Sequence, residues 1–337
     1  MQHFRLSFII TTISLAIAVY WGGPMGAFIA LILGVLEVSL SFDNAVVNAS
    51  ILKRMDERWQ QYFLTWGILI AVFGMRLLFP ILIVNVATGI DFIGVANMAL
   101  HDPTTYAHHL EESHVQIAAF GGMFLLMVFF SFIFDEGKEL HWLGYIEKKL
   151  SDFGKLESIE IILALGVLLF GQSWLPEEVR FKALVAGISG VILYVIVDSL
   201  SALFEDEEKG EEVSDAIKRG SVMSFLYLEV LDASFSFDGV IGAFAITQDV
   251  IIIMLGLAIG AMFVRSLTVY LVRKGTLDEY VFLEHGAHYA IGSLATIMLL
   301  SMKIEISEVI TGLIGAVMIG LSVLSSIFYK KKLALLD

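Results

Sequence analysis

The chain reads as an all-α polytopic membrane protein with about ten transmembrane helices arranged as a five-plus-five inverted repeat. Three observations predict that class. Apolar runs long enough to cross a bilayer recur from end to end, Lys and Arg segregate to one side of those runs, and one acidic pattern occurs once in each half. Hydrophobic residues make up 58% of 337, and the mean hydropathy is +0.83, far above a soluble domain.

The spans fall at 7–22, 25–52, 60–88, 115–134, 158–175, 182–204, 220–246, 249–272, 283–303 and 307–328, with ends good to ~2–4 residues. The first also has the build of a signal peptide, with Arg5 before an apolar run to Val19, but the repeat requires it as a retained span. With both termini inside, Arg5, Lys53, Arg54, Arg58, Lys138, Lys148, Lys149, Lys155, Lys209, Lys218, Arg219, Arg273, Lys274, Lys330, Lys331 and Lys332 share the inner side. Only Arg180, Lys182 and Lys303 fall outside. The stretch 89–114 carries no Lys or Arg, which places it outside as a loop.

An odd number of spans per half forces the halves into opposite orientation, the plan of secondary transporters with a site near the bilayer midplane. The halves are 1–175 and 176–337, in one integral membrane unit. The acidic stretch 204–219 within the second half reads as a solvated linker.

The repeated pattern is LEVSLSFDNAVVNAS at 36–50 and LEVLDASFSFDGVIGAFAIT at 228–247. Aligning Ser41-Phe42-Asp43-Asn44 with Ser236-Phe237-Asp238-Gly239 superimposes Glu37 on Asp232; Arg76 and Arg265 then correspond in the following spans. Glu37, Asp43, Asp198, Glu229, Asp232 and Asp238 lie inside spans against two arginines. A central charge costs ~2.5–3.5 kcal/mol on insertion scales, so a surplus of buried acids must be protonated or bind cations.

Carboxylates, the Ser41 and Ser236 hydroxyls and the Asn44 amide are hard oxygen donors, suited to Mn²⁺, Ca²⁺, Mg²⁺ or protons. The predicted site is therefore Glu37, Ser41, Asp43, Asn44, Asp232, Ser236 and Asp238. Asp198, Glu229, Glu284, His285 and His288 are accessory candidates, the last three forming an E-H-x-x-H run at the inner mouth. Arg76 and Arg265 are the expected counter-ions. Depths at ~1.5 Å per residue place Asp43 with Arg265 and Asp238 with Arg76, so the pairs should cross between halves.

Glu37, Ser41, Asn44 and Asn48 share one helical face, whereas Glu37 and Asp43 point ~120° apart on a continuous helix. Either the helix breaks near Ser41–Asn44, or polar partners surround it. Gly239 and Gly242 would permit a break in the second copy. In the 89–114 stretch, His101, His108, His109 and His114 with Asp102, Glu111 and Glu112 read as a polar loop, with a metal-capturing vestibule as the alternative.

Several classes are excluded. Without cysteine there is no disulfide framework, thiolate metal site or Cys nucleophile. No GxGxxG, P-loop or GxSxG occurs, and E-H-x-x-H reverses the zinc-protease order, so no enzyme is expected. A net charge of −14 does not suit nucleic acid.

The pairing of E-x-x-x-S-x-D-N with D-x-x-F-x-x-D resembles the TerC-type tellurium-resistance family. That resemblance implies the larger LysE-like exporter group and manganese efflux, with Glu37, Asp43, Asn44, Asp232 and Asp238 as the family's site positions. The family's second motif usually continues Asp-Ser-Ile-Pro-Ala, whereas here Asp238-Gly239-Val240-Ile241-Gly242-Ala243 lacks the hydroxyl and the proline.

The resulting expectation is a secondary transporter exporting a divalent cation, Mn²⁺ ahead of Ca²⁺ or Mg²⁺, by alternating access coupled to protons or potential. It would sit in a prokaryotic cytoplasmic (inner) membrane, with lipid and the metal substrate as partners and no covalently bound cofactor. The alternatives are a LysE-like exporter of a small organic solute and a non-transporting membrane scaffold in metal or tellurite stress.

Overall fold

The computed structural model describes residues 4–333 apart from 54, 207–212, 305 and 307. Within the helices, the side chains of 64, 68, 87, 200–221, 223, 235–238, 241, 245, 278, 308, 309 and 333 lie outside that description. The described residues are helical, with no strand among them.

The chain runs α1 (Arg5–Leu40), α2 (Phe42–Leu52), α3 (Glu57–Leu69), a π segment (Ile70–Leu78), α4 (Phe79–Thr88), α5 (Phe92–His101) and α6 (Pro103–Glu112). It continues as α7 (His114–Ile133), α8 (Tyr145–Phe153), α9 (Ile159–Gln172), α10 (Glu177–Asp206), α11 (Val213–Ile246), α12 (Val250–Arg273), α13 (Thr276–Glu279), α14 (Leu283–Ser301) and α15 (Glu308–Leu333). Two compact units form, Met1–His114 with Ser201–Lys274, and Val115–Leu200 with Gly275–Asp337. Each unit draws on both sequence halves.

Among the described residues five helices are long and apolar enough to cross a membrane: α1, α7, α10, α12 and α15. The pair Glu57–Gly67 and Ile70–Val86, bent by 45°, makes a sixth if taken as one span. These long apolar helices fit an integral membrane protein. At 14 residues α9 is shorter than the usual spanning length.

Helix α1 folds back on itself. Gly23 has φ 66° and ψ −167°, a conformation essentially confined to glycine, and Pro24 starts the next helical turn. Gly26 lies where a Cβ would sit 3.1 Å from the Ala18 carbonyl oxygen. Eight residues of straight helix would separate the two by ~12 Å. Both arms, 5–22 and 24–40, lie along α12: Ser7 Oγ donates to the Met262 carbonyl at 3.0 Å, while Gly22 and Gly26 both meet Ile252. The expected boundary between spans 7–22 and 25–52 is this reversal.

The second predicted span breaks at Ser41, between α1 and α2. Of the two alternatives read from the sequence the break is the one seen, and residues 43–50 of α2 beyond it are buried on every side. Helix α11 instead stays helical through 236–242, so the break that Gly239 and Gly242 would permit does not occur there. Two glycines lower helix preference by only ~1 kcal/mol each, which packing along a 34-residue helix overrides. The 89–114 stretch, expected as a loop, folds into α5 and α6. Their N-termini are capped by Asp91, accepting from Gly94 N, and by Asp102, accepting from Thr105 N.

Candidate functional site

Glu37 lies in the last turn of α1, 4% exposed, and its carboxylate pairs with the Arg76 guanidinium at 2.5 Å. Three glycines let this end of α1 pack closely, two of them against Glu37 itself. Gly260 of α12 leaves the space filled by the Glu37 methylenes, and Gly239 of α11 lies where a Cβ would stand 2.7 Å from Glu37 Oε2. Gly34 lets the same arm close onto Ile259 and the Gly256 carbonyl. The Ser41 hydroxyl is 3.4 Å from Glu37 Oε1. Glu37 of the first motif thus rests against Gly239 of the second.

Arg76 is delivered by the π segment, a geometry often found at functional sites because its extra residue per turn re-aims a side chain. Its Nη1 donates to the Ala71 carbonyl at 2.7 Å while Nη2 holds Glu37. Arg76 also lies within electrostatic reach of Asp232 and Glu229.

A second buried arginine with carboxylate partners lies in the second half of the sequence. Arg265 of α12, 2% exposed, donates from Nη2 to Glu229 Oε1 at 3.1 Å and reaches Asp232 Oδ2 at 3.5 Å. Its Nη1 donates to the Phe63 carbonyl at 2.8 Å, and its guanidinium lies 4.2 Å from the centre of the Phe63 ring. Gly67 of α3 leaves the space that Arg265 and Glu229 occupy.

This corrects the expected pairing. Arg76 pairs with Glu37 and Arg265 with Asp232 and Glu229, so each described pair stays within one half and Arg265 is not joined to Asp43; the expected pairing of Asp238 with Arg76 lies outside the described residues. Depths counted on straight helices ignored the break at Ser41, the wider π turn and the reach of an arginine stem.

Asp43 is treated differently. It stands in the first turn of α2, 8% exposed, and its Oδ1 accepts from the Asn44 backbone N–H at 3.0 Å. The positive end of the α2 dipole favours a carboxylate there. Among the described residues Asp43 has no ion-pair partner. Asn44 is 5% exposed and Asn48 1%, and Asn48 Oδ1 has no hydrogen-bond partner among the described residues. In this unit four buried described carboxylates (Glu37, Asp43, Glu229 and Asp232) face two buried arginines. The side chains of Ser236 and Asp238 lie outside the described residues.

The remaining candidates belong to the second unit. Asp198 is exposed on α10 and bonded to the Tyr194 hydroxyl. His285 Nε2 lies 2.9 Å from the Leu140 carbonyl and 3.4 Å from Glu147 Oε1; His288 stacks on Phe132 and bonds the Glu284 carbonyl. The Glu284, His285 and His288 side chains do not converge as a three-ligand cluster. Spacing missed Glu147, which is fully buried, bonded to Lys138 Nζ at 2.9 Å and accepting from Leu143 N. It also missed the cradling glycines Gly67 and Gly260, whose signal is one small residue opposite each charge.

A protein-family profile described as "Protein of unknown function (DUF475)" matches residues 42–333. The chain belongs to the DUF475 family. The match takes in Asp43, Arg76, Glu229, Asp232 and Arg265, and starts after Glu37. No curated protein and no solved structure matches this DUF475 chain.

Proposed function

We propose that this DUF475 protein is a secondary transporter that exports a divalent metal cation, with Mn²⁺ the favoured substrate and Ca²⁺ or Mg²⁺ the alternatives. The observation that carries the reading is Asp43, a buried carboxylate without an ion-pair partner among the described residues, while Arg76 and Arg265 hold the other three acids. A buried uncompensated carboxylate either takes a proton or takes a cation. Asn44 and the orphaned Asn48 Oδ1 on the same short helix offer further oxygen donors.

The equivalence of Glu37–Arg76 with Asp232–Arg265 supports ten spans in a five-plus-five inverted repeat, with the site where the two motifs meet. The break at Ser41 supports the same plan, because discontinuous helices turn end-of-helix carbonyls and dipoles toward a bound ion. Arg76 and Arg265 act as tethered counter-ions that release carboxylates when the cation arrives, coupling occupancy to helix movement. The resemblance to TerC-type and LysE-like exporters favours manganese and a prokaryotic inner membrane, and the charge asymmetry supports termini on its cytoplasmic side.

The test is ion flux in proteoliposomes containing the full chain. Wild type should move Mn²⁺, and Asp43→Asn should lose that flux while keeping its fold. Absence of Mn²⁺, Ca²⁺ and Mg²⁺ flux in the wild type, or equal flux in Asp43→Asn, would overturn the reading.

A further inference from the structure

Helix α6 carries chemistry that this transport reading does not use. His108, His109 and Glu112 occupy its last turn, and one ligand atom from each lies within 4.8 Å of the other two. Glu112 stands between the imidazoles, with Oε2 3.1 Å from His109 Nδ1 and Oε1 3.6 Å from His108 Nδ1. We propose that this turn of α6 is a surface binding site for a divalent transition-metal ion of the zinc type.

The donor set selects the ion. Two imidazole nitrogens and one carboxylate oxygen match the three-ligand sets of zinc sites, with water completing the sphere. Ligands at ~2.0–2.2 Å from a tetrahedral ion lie ~3.3–3.5 Å from each other, so small rotamer changes close the cluster. Mg²⁺ and Ca²⁺ prefer all-oxygen shells and should be rejected.

The surroundings also favour a cation. The cluster lies at the C-terminal, negative end of α6, where Glu111 adds a second acidic residue to the same turn. No Lys or Arg occurs anywhere in 89–114.

The scaffold holds the ligands in place. Tyr106 and Leu110 are 2% and 1% exposed on the opposite face of α6, and Tyr106 packs on Phe244 of α11 with ring centres 5.7 Å apart. Thr104 Oγ1 donates to Gln248 Oε1 at 3.1 Å, and Asp102 caps the helix start. A turn fixed in this way presents preorganised ligands. His101 is not part of the cluster, since its Nδ1 bonds the Asn97 carbonyl.

Zn²⁺ titration by calorimetry, with Co²⁺ as a spectroscopic probe, tests the site on the purified full chain in detergent. Wild type and Asp43→Asn should both give histidine-dependent Co²⁺ visible bands, which report this site separately from any Zn²⁺ taken at Asp43. His108→Ala/His109→Ala should weaken Zn²⁺ by at least about tenfold and lose the bands. If that variant aggregates, His108→Asn/His109→Asn and Glu112→Gln provide the same comparison at nearly constant shape. Unchanged Zn²⁺ affinity in the histidine variants, no Zn²⁺ binding by wild type, or displacement of Zn²⁺ by excess Mg²⁺ would each overturn the proposal. Because Asp43→Asn keeps this site and removes transport, failure of either reading is visible by itself.

Discussion

Glu37 and Arg76 form an ion pair in which each side chain is only 3% exposed. Gly260 lies under the Glu37 methylenes and Gly239 against its carboxylate, so the first motif's acid is held by residues from both halves of the chain. The pair is oriented by two local irregularities, the break at Ser41 and the π segment that carries Arg76.

Arg76→Leu should destabilise the protein by about 3–5 kcal/mol, because it strands a buried carboxylate. Thermal unfolding in detergent measures the loss. Adding Glu37→Gln should recover part of it, and a double-mutant cycle showing no coupling would count against the pair.

At Gly239, an added Cβ would lie 2.7 Å from Glu37 Oε2, and Glu37 cannot swing away without leaving Arg76. Gly239→Ala and Gly239→Ser should each cost about 1–3 kcal/mol and slow Mn²⁺ flux. Gly166→Ala in α9 meets nothing within 4 Å and should instead stabilise by about 0.5–1 kcal/mol. Equal effects at the two positions would refute the cradle.

For Gly23→Ala the expected cost is about 1–3 kcal/mol, arising from backbone strain alone, since no atom lies within 4 Å of the added Cβ. Gly23→Asn should not rescue it, because ψ −167° lies outside the left-handed helical region that asparagine tolerates. A tolerated alanine would mean that the reversal in α1 takes another form.

In the second unit, Glu147→Leu should cost about 3–5 kcal/mol by leaving Lys138 and the Leu143 N–H without their acceptor. Glu147→Gln, which retains an acceptor oxygen, should lose less. Unfolding midpoints of the two variants, compared at one detergent concentration, decide between them.

Much of the fold could be read from hydropathy and charge, because a bilayer-spanning helix needs a long apolar run and little else. The motif residues Glu37, Ser41, Asp43, Asn44 and Asp232 are all buried as their acidic pattern in apolar sequence implied. The 89–114 stretch misled because its histidines and acids read as polar loop. The caps at Asp91 and Asp102 and the proline at the start of α6 were the overlooked helix signals.

Composition and spacing alone determined that this is a helical membrane protein with a duplicated acidic motif and more buried acids than buried bases. Those properties are local to each segment. Tertiary structure decided which acid meets which arginine, because pairing depends on a one-residue break, a π turn and glycines on neighbouring helices. Among the described residues it left Asp43 without an arginine, and that choice was set by the directions of side chains in space rather than by their order along the chain.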